Sequence, residues 1–146
     1  EGKQYFQVKK TTIESKDVPQ AFDGYRIVQL SDMHVGSWNG NTQAMEKAVS
    51  IINDLQPDLI VFTGDLVNNL ASELDNFIPV FSKLKAKDGV YSVLGNHDYS
   101  TYIHWENPED QKEELVRLKQ KQAEIIGYLM VLILNLLTST GVQMVG

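Results

Sequence analysis

Three short, almost uninterrupted apolar runs each break off into a cluster of polar, metal-competent residues, and this recurrence limits the chain to very few folds. Residues 26–30 (RIVQL) lead into Ser31-Asp32-Met33-His34, residues 58–62 (DLIVF) into Thr63-Gly64-Asp65, and residues 90–94 (VYSVL) into Gly95-Asn96-His97-Asp98. Runs this short without polar alternation have the pattern of parallel strands buried on both faces. The intervening segments read as helices. Met45, Ala48, Val49, Ile52 and Leu55 stand at helical spacing in 42–55, with Asn41 or Thr42 as N-cap and Pro57 as terminator. Leu74, Phe77, Ile78, Phe81 and Leu84 form a second stripe, in which Pro79 predicts a late start or a kink and Gly89 the end. Residues 108–125 are rich in Glu, Lys and Gln and predict a solvent-facing helix with Leu115, Leu118 and Ala123 turned inward. A further strand is expected over residues 4–13. The chain is thus expected to be α/β, a mostly parallel sheet with crossover helices.

The spacing then gathers the motifs. His34 to Asp65 and Asp65 to Asn96 are each about thirty residues apart, the length of one βαβ unit. Right-handed crossovers lay the helices over the sheet. Residues that follow successive parallel strands emerge at one edge, where open α/β folds bind ligands. Asp32, His34, Asp65, Asn96 and His97 are therefore expected to meet. Leaving a strand at i and i+2, Asp32 and His34 can point the same way. Asp65 has two oxygens with which to bridge two cations, and the Asn96 amide oxygen is a hard ligand. This oxygen and nitrogen set suits two divalent ions such as Mn, Fe or Zn. Two cations about 3.5–4 Å apart clamp a phosphate and acidify a bound water. His97 stands beside a ligand, placed to act on the phosphate or the leaving oxygen, and Asp98 to hold the tautomer of its ring. Gly64 and Gly95 fit sharp turns close to the site. Taken singly, Asp-x-His is a weak signal and Gly-Asp is usually a turn. Gly-Asn-His-Asp is stronger, and the ordered set of three at strand ends carries the expectation.

Composition narrows the partners. The net charge is −6 with no basic run, so a nucleic-acid partner is not indicated, and the acidity reads mainly as solubility. There is no cysteine, which removes disulfides, thiolate metal sites and cysteine nucleophiles. The chain opens on Glu1 without a Met, read as a processing site or a boundary, with room for a membrane anchor upstream of residue 1. The apolar run Ile125 to Leu137 falls short of the roughly 18–20 residues that span a membrane, and reads as a buried strand or helix segment.

On Asp32-Met33-His34, Gly64-Asp65 and Gly95-Asn96-His97-Asp98 the chain resembles the calcineurin-like metallophosphoesterases over residues 24–100. The resemblance implies a four-layer αββα sandwich and a phosphoester substrate, a phosphomonoester or phosphodiester, hydrolysed at two metals by an activated water. It implies Asp32 and His34 as ligands of the first metal, Asp65 as the bridge and Asn96 as a ligand of the second. His97 would stabilise the transition state or protonate the leaving group. The stretch QLSDMHVGSW is most similar to the membrane-anchored or exported bacterial branch, which implies the cell envelope.

The chain departs from the family's pattern as well. It has three histidines, His34, His97 and His104; the family's later His and its Gly-His-x-His, which supply one further ligand to the first metal and two to the second, are absent. His104 follows the third motif too closely to be the fourth and reads as an ordinary loop residue. Residues 1–124 are accordingly expected to be the N-terminal part of a metallophosphoesterase domain, half of the sandwich, and 125–146 an atypical apolar tail, truncated or altered. Half a sandwich would expose one sheet face, covered by that tail or by self-association. The alternatives to an enzyme are an incomplete, non-catalytic metal- or phosphate-binding fragment and an interaction domain in which the motif residues only stabilise turns.

Overall fold

The computed structural model of the chain describes residues 6–126. Its elements run β1 (Ile27–Leu30), α1 (Gln43–Asp54), β2 (Leu59–Phe62), α2 (Ile78–Phe81), β3 (Val90–Ser92) and α3 (Pro108–Ile126), joined by short 3₁₀ turns. The three strands form one parallel sheet in the order β1-β2-β3, with Gln29 opposite Val61 and Val61 opposite Tyr91. This is the mixed α/β architecture of parallel strands and crossover helices that the apolar runs predict.

Among the described residues the strands are buried on one face only, not on both. Ile60, Phe62, Val90 and Ser92 are buried, whereas Ile27, on the other face, is 51% exposed and Leu59, Val61 and Tyr91 are half-buried. The reason is topological. Successive right-handed crossovers in the strand order β1-β2-β3 deliver every helix to the same side. There Met45, Val49 and Ile52 of α1 meet Phe77, Val80 and Phe81 around α2, and Leu118, Ile125 and Ile126 of α3. Phe81 packs edge-on against Phe62 at 5.7 Å. Each such side chain contributes roughly 1.5–3 kcal/mol on leaving water. Residues 6–126 contain no second sheet.

The helix ends follow local chemistry. Asn41 Oδ1 accepts the N–H of Gln43 at 3.1 Å, while Thr42 makes no side-chain cap. α1 stops where Gln56 takes φ 50° ahead of Pro57, since the residue before proline is driven out of the right-handed helical region. Pro79 stands in the first turn of α2, which therefore starts late, after a separate 3₁₀ turn at Ala71–Leu74.

Two further expectations are overturned. Residues 6–13 form no strand, and residues 4–5 of the expected segment lie outside the described residues. A strand needs a partner's ladder, and among the described residues only β2 pairs with β1 or β3. Instead Phe6 stacks on Trp38 at 5.7 Å, with Val8 and Ile13 exposed. In α3, Ala123 is exposed and the inward stripe is Glu114, Leu118, Gln122 and Ile125, with Leu115 half-buried. Glu114 turns inward because its carboxylate accepts the N–H of Ala71 at 2.7 Å. Ile125 and Ile126 close α3, and the rest of the apolar tail, 127–146, lies outside the described residues.

Candidate metal centre

The loops that leave the strands continue the sheet's ladder for several residues. Thr63 N–H donates to Leu30 O, Asp32 N–H to Gly64 O, His34 N–H to Asp65 O and Val35 N–H to Leu66 O, at 2.9–3.2 Å. This zipper locks the Asp32–His34 loop to the Gly64–Leu66 loop. The chain turns sharply within it, for Asp32, His34 and Asp65 all have positive φ (53°, 41° and 54°). Left-handed backbone at a non-glycine residue costs of order 1–3 kcal/mol, persists where surrounding contacts enforce it, and clusters at functional sites. His34 Nε2 lies 4.0 Å from Asp32 Oδ1 and 4.0 Å from Asp65 Oδ2.

The third motif closes on the second through two glycines. A Cβ on Gly64, whose φ is 109°, would stand 2.7 Å from the Gly95 Cα and N, and one on Gly95 would stand 2.5 Å from the Asp65 N. Beneath this contact the Asp98 carboxylate is fully buried. One of its oxygens accepts the N–H groups of Leu66 and Val67, and the other those of Asp65 and Gly95, at 2.9–3.2 Å. Burial pushes the Asp98 carboxyl above its ordinary pKa, while the bonds from Gly95, Val67, Leu66 and Asp65 pull it back.

Asp98 was expected to orient His97; it turns instead to the backbone of the second motif. His97 Nδ1 lies 2.8 Å from Asn68 O, and a carbonyl only accepts, so Nδ1 carries a hydrogen. The His97 N–H donates to Asp65 Oδ1 at 2.9 Å. The ring meets His34 edge-on, with centroids 4.6 Å apart, and stacks on Tyr102 at 4.3 Å. Asn96 is exposed and directs Nδ2 at the Tyr102 Oη, 2.6 Å away. His104 is exposed in the loop beyond.

One donor atom each from His34, Asp65 and His97 lie within 4.8 Å of one another, the sole such group of three among the described residues. Tetrahedral bonds of about 2.0–2.2 Å to nitrogen or oxygen would bring such donors closer together than this around one cation. Imidazole nitrogens with carboxylate oxygens suit Zn, Fe or Mn, so the residues present fit a divalent metal. Asp32 adjoins the group through His34, and Asn96 adjoins it through Tyr102 and His97. Neither Asn68 nor Tyr102 stood out in the sequence. Asn68 acts through its main-chain oxygen, which every residue has, and an aromatic residue six positions after Asn96 carries no signal of its own.

Residues 25–140 match the sequence model of the calcineurin-like phosphoesterases. Among similar proteins, the "uncharacterized metallophosphoesterase YkuE" of Bacillus subtilis is 39% identical over 93 residues, 62% of this chain and 32% of that protein. A "transmembrane protein with metallophosphoesterase domain" of Danio rerio is 35% identical over 95 residues, 65% of this chain and 22% of that protein. The "UDP-2,3-diacylglucosamine pyrophosphatase LpxG" of Chlamydia trachomatis is 43% identical over 82 residues, 55% of this chain and 24% of that protein. The chain spans about a third or less of the length of these relatives. No solved structure matches it.

Proposed function

The chain belongs to the calcineurin-like phosphoesterase family, and from that premise we propose that it supplies the first half of a two-metal centre that hydrolyses a phosphomonoester or phosphodiester. Asp32 and His34 would hold the first cation, Asp65 would serve both, and Asn96 would hold the second, with Mn, Fe or Zn as the ions. When bound, the cations supply positive charge that clamps a phosphate and acidifies water for in-line attack. The observation that carries the reading is the convergence of His34, Asp65 and His97 from three loops at one sheet edge.

The remaining work falls to the chain's own groups. The Asn68 carbonyl fixes the His97 tautomer, leaving Nε2 to take up and hand over a proton at the leaving oxygen. The bond from His97 N–H holds Asp65 in place. Asp98 ties the loop that carries Asp65 to the loop that carries His97 and does not touch substrate. The membership of His97 in the three-residue group favours a second reading, in which His97 is itself a ligand of one cation shared with His34 and Asp65. Metal content of His97 and Asp65 variants decides between them.

We place the whole protein at the cell envelope, supported by relatives named as transmembrane proteins and as an LpxG pyrophosphatase. No helix among the described residues is long and apolar enough to cross a membrane. Residues 1–124 are read as the N-terminal part of the catalytic domain, with self-association through the less covered sheet face as a further element of the proposal. The test of the function is divalent-metal binding by the chain, followed by hydrolysis of p-nitrophenyl phosphate and its bis-ester. A wild-type chain that binds no divalent ion would remove the basis of the reading.

A further inference from the structure

The three residues that follow Val67 turn their two kinds of main-chain group in different directions. On one side the N–H groups of Asn68, Asn69 and Leu70 all donate to the carboxylate of Glu73, at 2.6, 3.1 and 3.0 Å. Successive N–H groups around one anion form a concave nest, and the charge makes each bond stronger than a neutral one. On the other side the carbonyls of Asn68 and Asn69 reach the loop after β3. Asn68 O meets His97 Nδ1 at 2.8 Å, and Asn69 O accepts from the hydroxyl of the buried Ser100.

These contacts come in pairs on shared peptide groups. The Asn69 N–H and the Asn68 carbonyl belong to one peptide plane, the Leu70 N–H and the Asn69 carbonyl to the next. In a planar trans peptide the N–H and the carbonyl point apart, so fixing the N–H end fixes where the carbonyl points. Glu73 thus reaches His97 through one peptide and Ser100 through the following one. Hydrogen bonds linked in this way also polarise one another. The carboxylate is in turn packed against the loop after β1. Gly36 has no room for a Cβ beside Glu73 Oε2, and Asn68 Nδ2 donates to Ser37 Oγ at 2.8 Å.

We propose that Glu73 is a positioning residue for His97. Through the peptide between Asn68 and Asn69, its carboxylate aims the carbonyl that receives the Nδ1 hydrogen, and so leaves Nε2 as the working nitrogen. This rests on the function proposed above, and it holds whether Nε2 hands over a proton or binds a cation. Glu73 itself touches no reacting atom.

The test reads the ring nitrogens of His97 by ¹⁵N NMR of the metal-free 146-residue chain, at a pH where the imidazole is neutral. Wild type, Glu73→Ala, Glu73→Gln and Glu114→Ala are compared, each with its melting temperature. Glu114 is the control. It accepts the next N–H along, that of Ala71, yet bonds neither of the peptides that reach the loop after β3. Wild type is expected to hold the Nδ1–H form in excess. Glu73→Ala should lower the ratio of Nδ1–H to Nε2–H about two- to tenfold, the worth of one hydrogen bond. Glu73→Gln keeps an oxygen for part of the nest and should fall between. Glu114→Ala should lower the melting temperature and leave the ratio unchanged. An excess of Nε2–H in wild type, an unchanged ratio in a folded Glu73→Ala chain, or an equal shift in Glu114→Ala would each overturn the proposal. Where Glu73→Ala does not fold, an unchanged ratio in Glu73→Gln overturns it. A Zn²⁺ titration of wild type, read at the His34 ring, tests the function separately. A silent His34 ring would overturn the metal reading, and the purpose assigned to Glu73 with it, whatever the tautomer ratios.

Discussion

The backbone N–H of His97 donates to Oδ1 of Asp65 at 2.9 Å, so the carboxylate delivered by the second strand is aimed by the residue that follows the third. The other Asp65 oxygen lies 4.0 Å from His34 Nε2, on the loop after the first strand. Three motifs thus share one carboxylate. Disturbing the contact between any two loops should be felt at the third.

Asp98→Asn tests the floor of the arrangement. Four N–H groups converge on the Asp98 carboxylate. An amide keeps an acceptor for one pair and turns its own NH₂ toward the other pair. A buried donor left without a partner costs roughly 1–3 kcal/mol, so a loss of about 2–4 kcal/mol is expected in urea denaturation. Metal affinity should fall too, because Asp65 and Gly95 hang from that carboxylate. A variant as stable as wild type would mean that water replaces these bonds.

Gly95→Ala tests the contact above it. The new Cβ would meet the Asp65 backbone N at 2.5 Å, closer than real Cβ atoms approach, and the obstacle is main chain. A destabilisation of about 1–3 kcal/mol is expected from thermal melts. Zn²⁺ binding should weaken beyond what that loss explains, since Asp65 must shift. Normal binding in a stably folded Gly95→Ala chain would show that Asp65 tolerates displacement.

The strands and the approach of His34, Asp65 and His97 were legible because both follow from patterns along the chain, whereas Asp32 and Asn96, expected beside them, stand outside that group. Continuous apolar runs mark β1, β2 and β3, and near-equal spacing puts their ends at one edge. What could not be read depends on partners far off in sequence. Asp98 reads as a neighbour of His97, yet its charge is taken up by backbone groups some thirty residues earlier. Glu114 and Gln122 read as solvent-facing, yet they shift the buried stripe of α3 away from Ala123, because Ala71 offers Glu114 an N–H. Residues 6–13 have strand-like composition, but composition supplies no neighbouring edge.

The 146-residue chain is expected to turn over p-nitrophenyl phosphate and its bis-ester weakly or not at all with added Mn²⁺. Its three histidines leave the proposed second cation with Asp65 and Asn96 from this chain, too few to hold it tightly against water. Restoring the family's later histidines in a longer protein should raise turnover sharply. Robust hydrolysis by the pure chain would show that the groups described here suffice.

His97 and Asp65 should separate cleanly by metal content, and here the structure sharpens the choice. The Asn68 carbonyl fixes the hydrogen on Nδ1, so a single nitrogen, Nε2, is left for either job. If Nε2 acts on the leaving oxygen, His97→Gln in a protein carrying all the family's motifs keeps its metals and loses about 10²–10⁴ in kcat. The loss should shrink for p-nitrophenolate, a good leaving group that needs little protonation, and grow for alkyl esters. Asp65→Ala should strip both cations, because it is the proposed bridge and because its Oδ1 also anchors the His97 main chain. If Nε2 is instead a ligand, His97→Gln loses a cation and the rate loss no longer depends on the leaving group. Elemental analysis of the two variants, set beside kcat for a series of leaving groups, distinguishes these outcomes. Retention of both cations by Asp65→Ala would rule out the bridge on either reading.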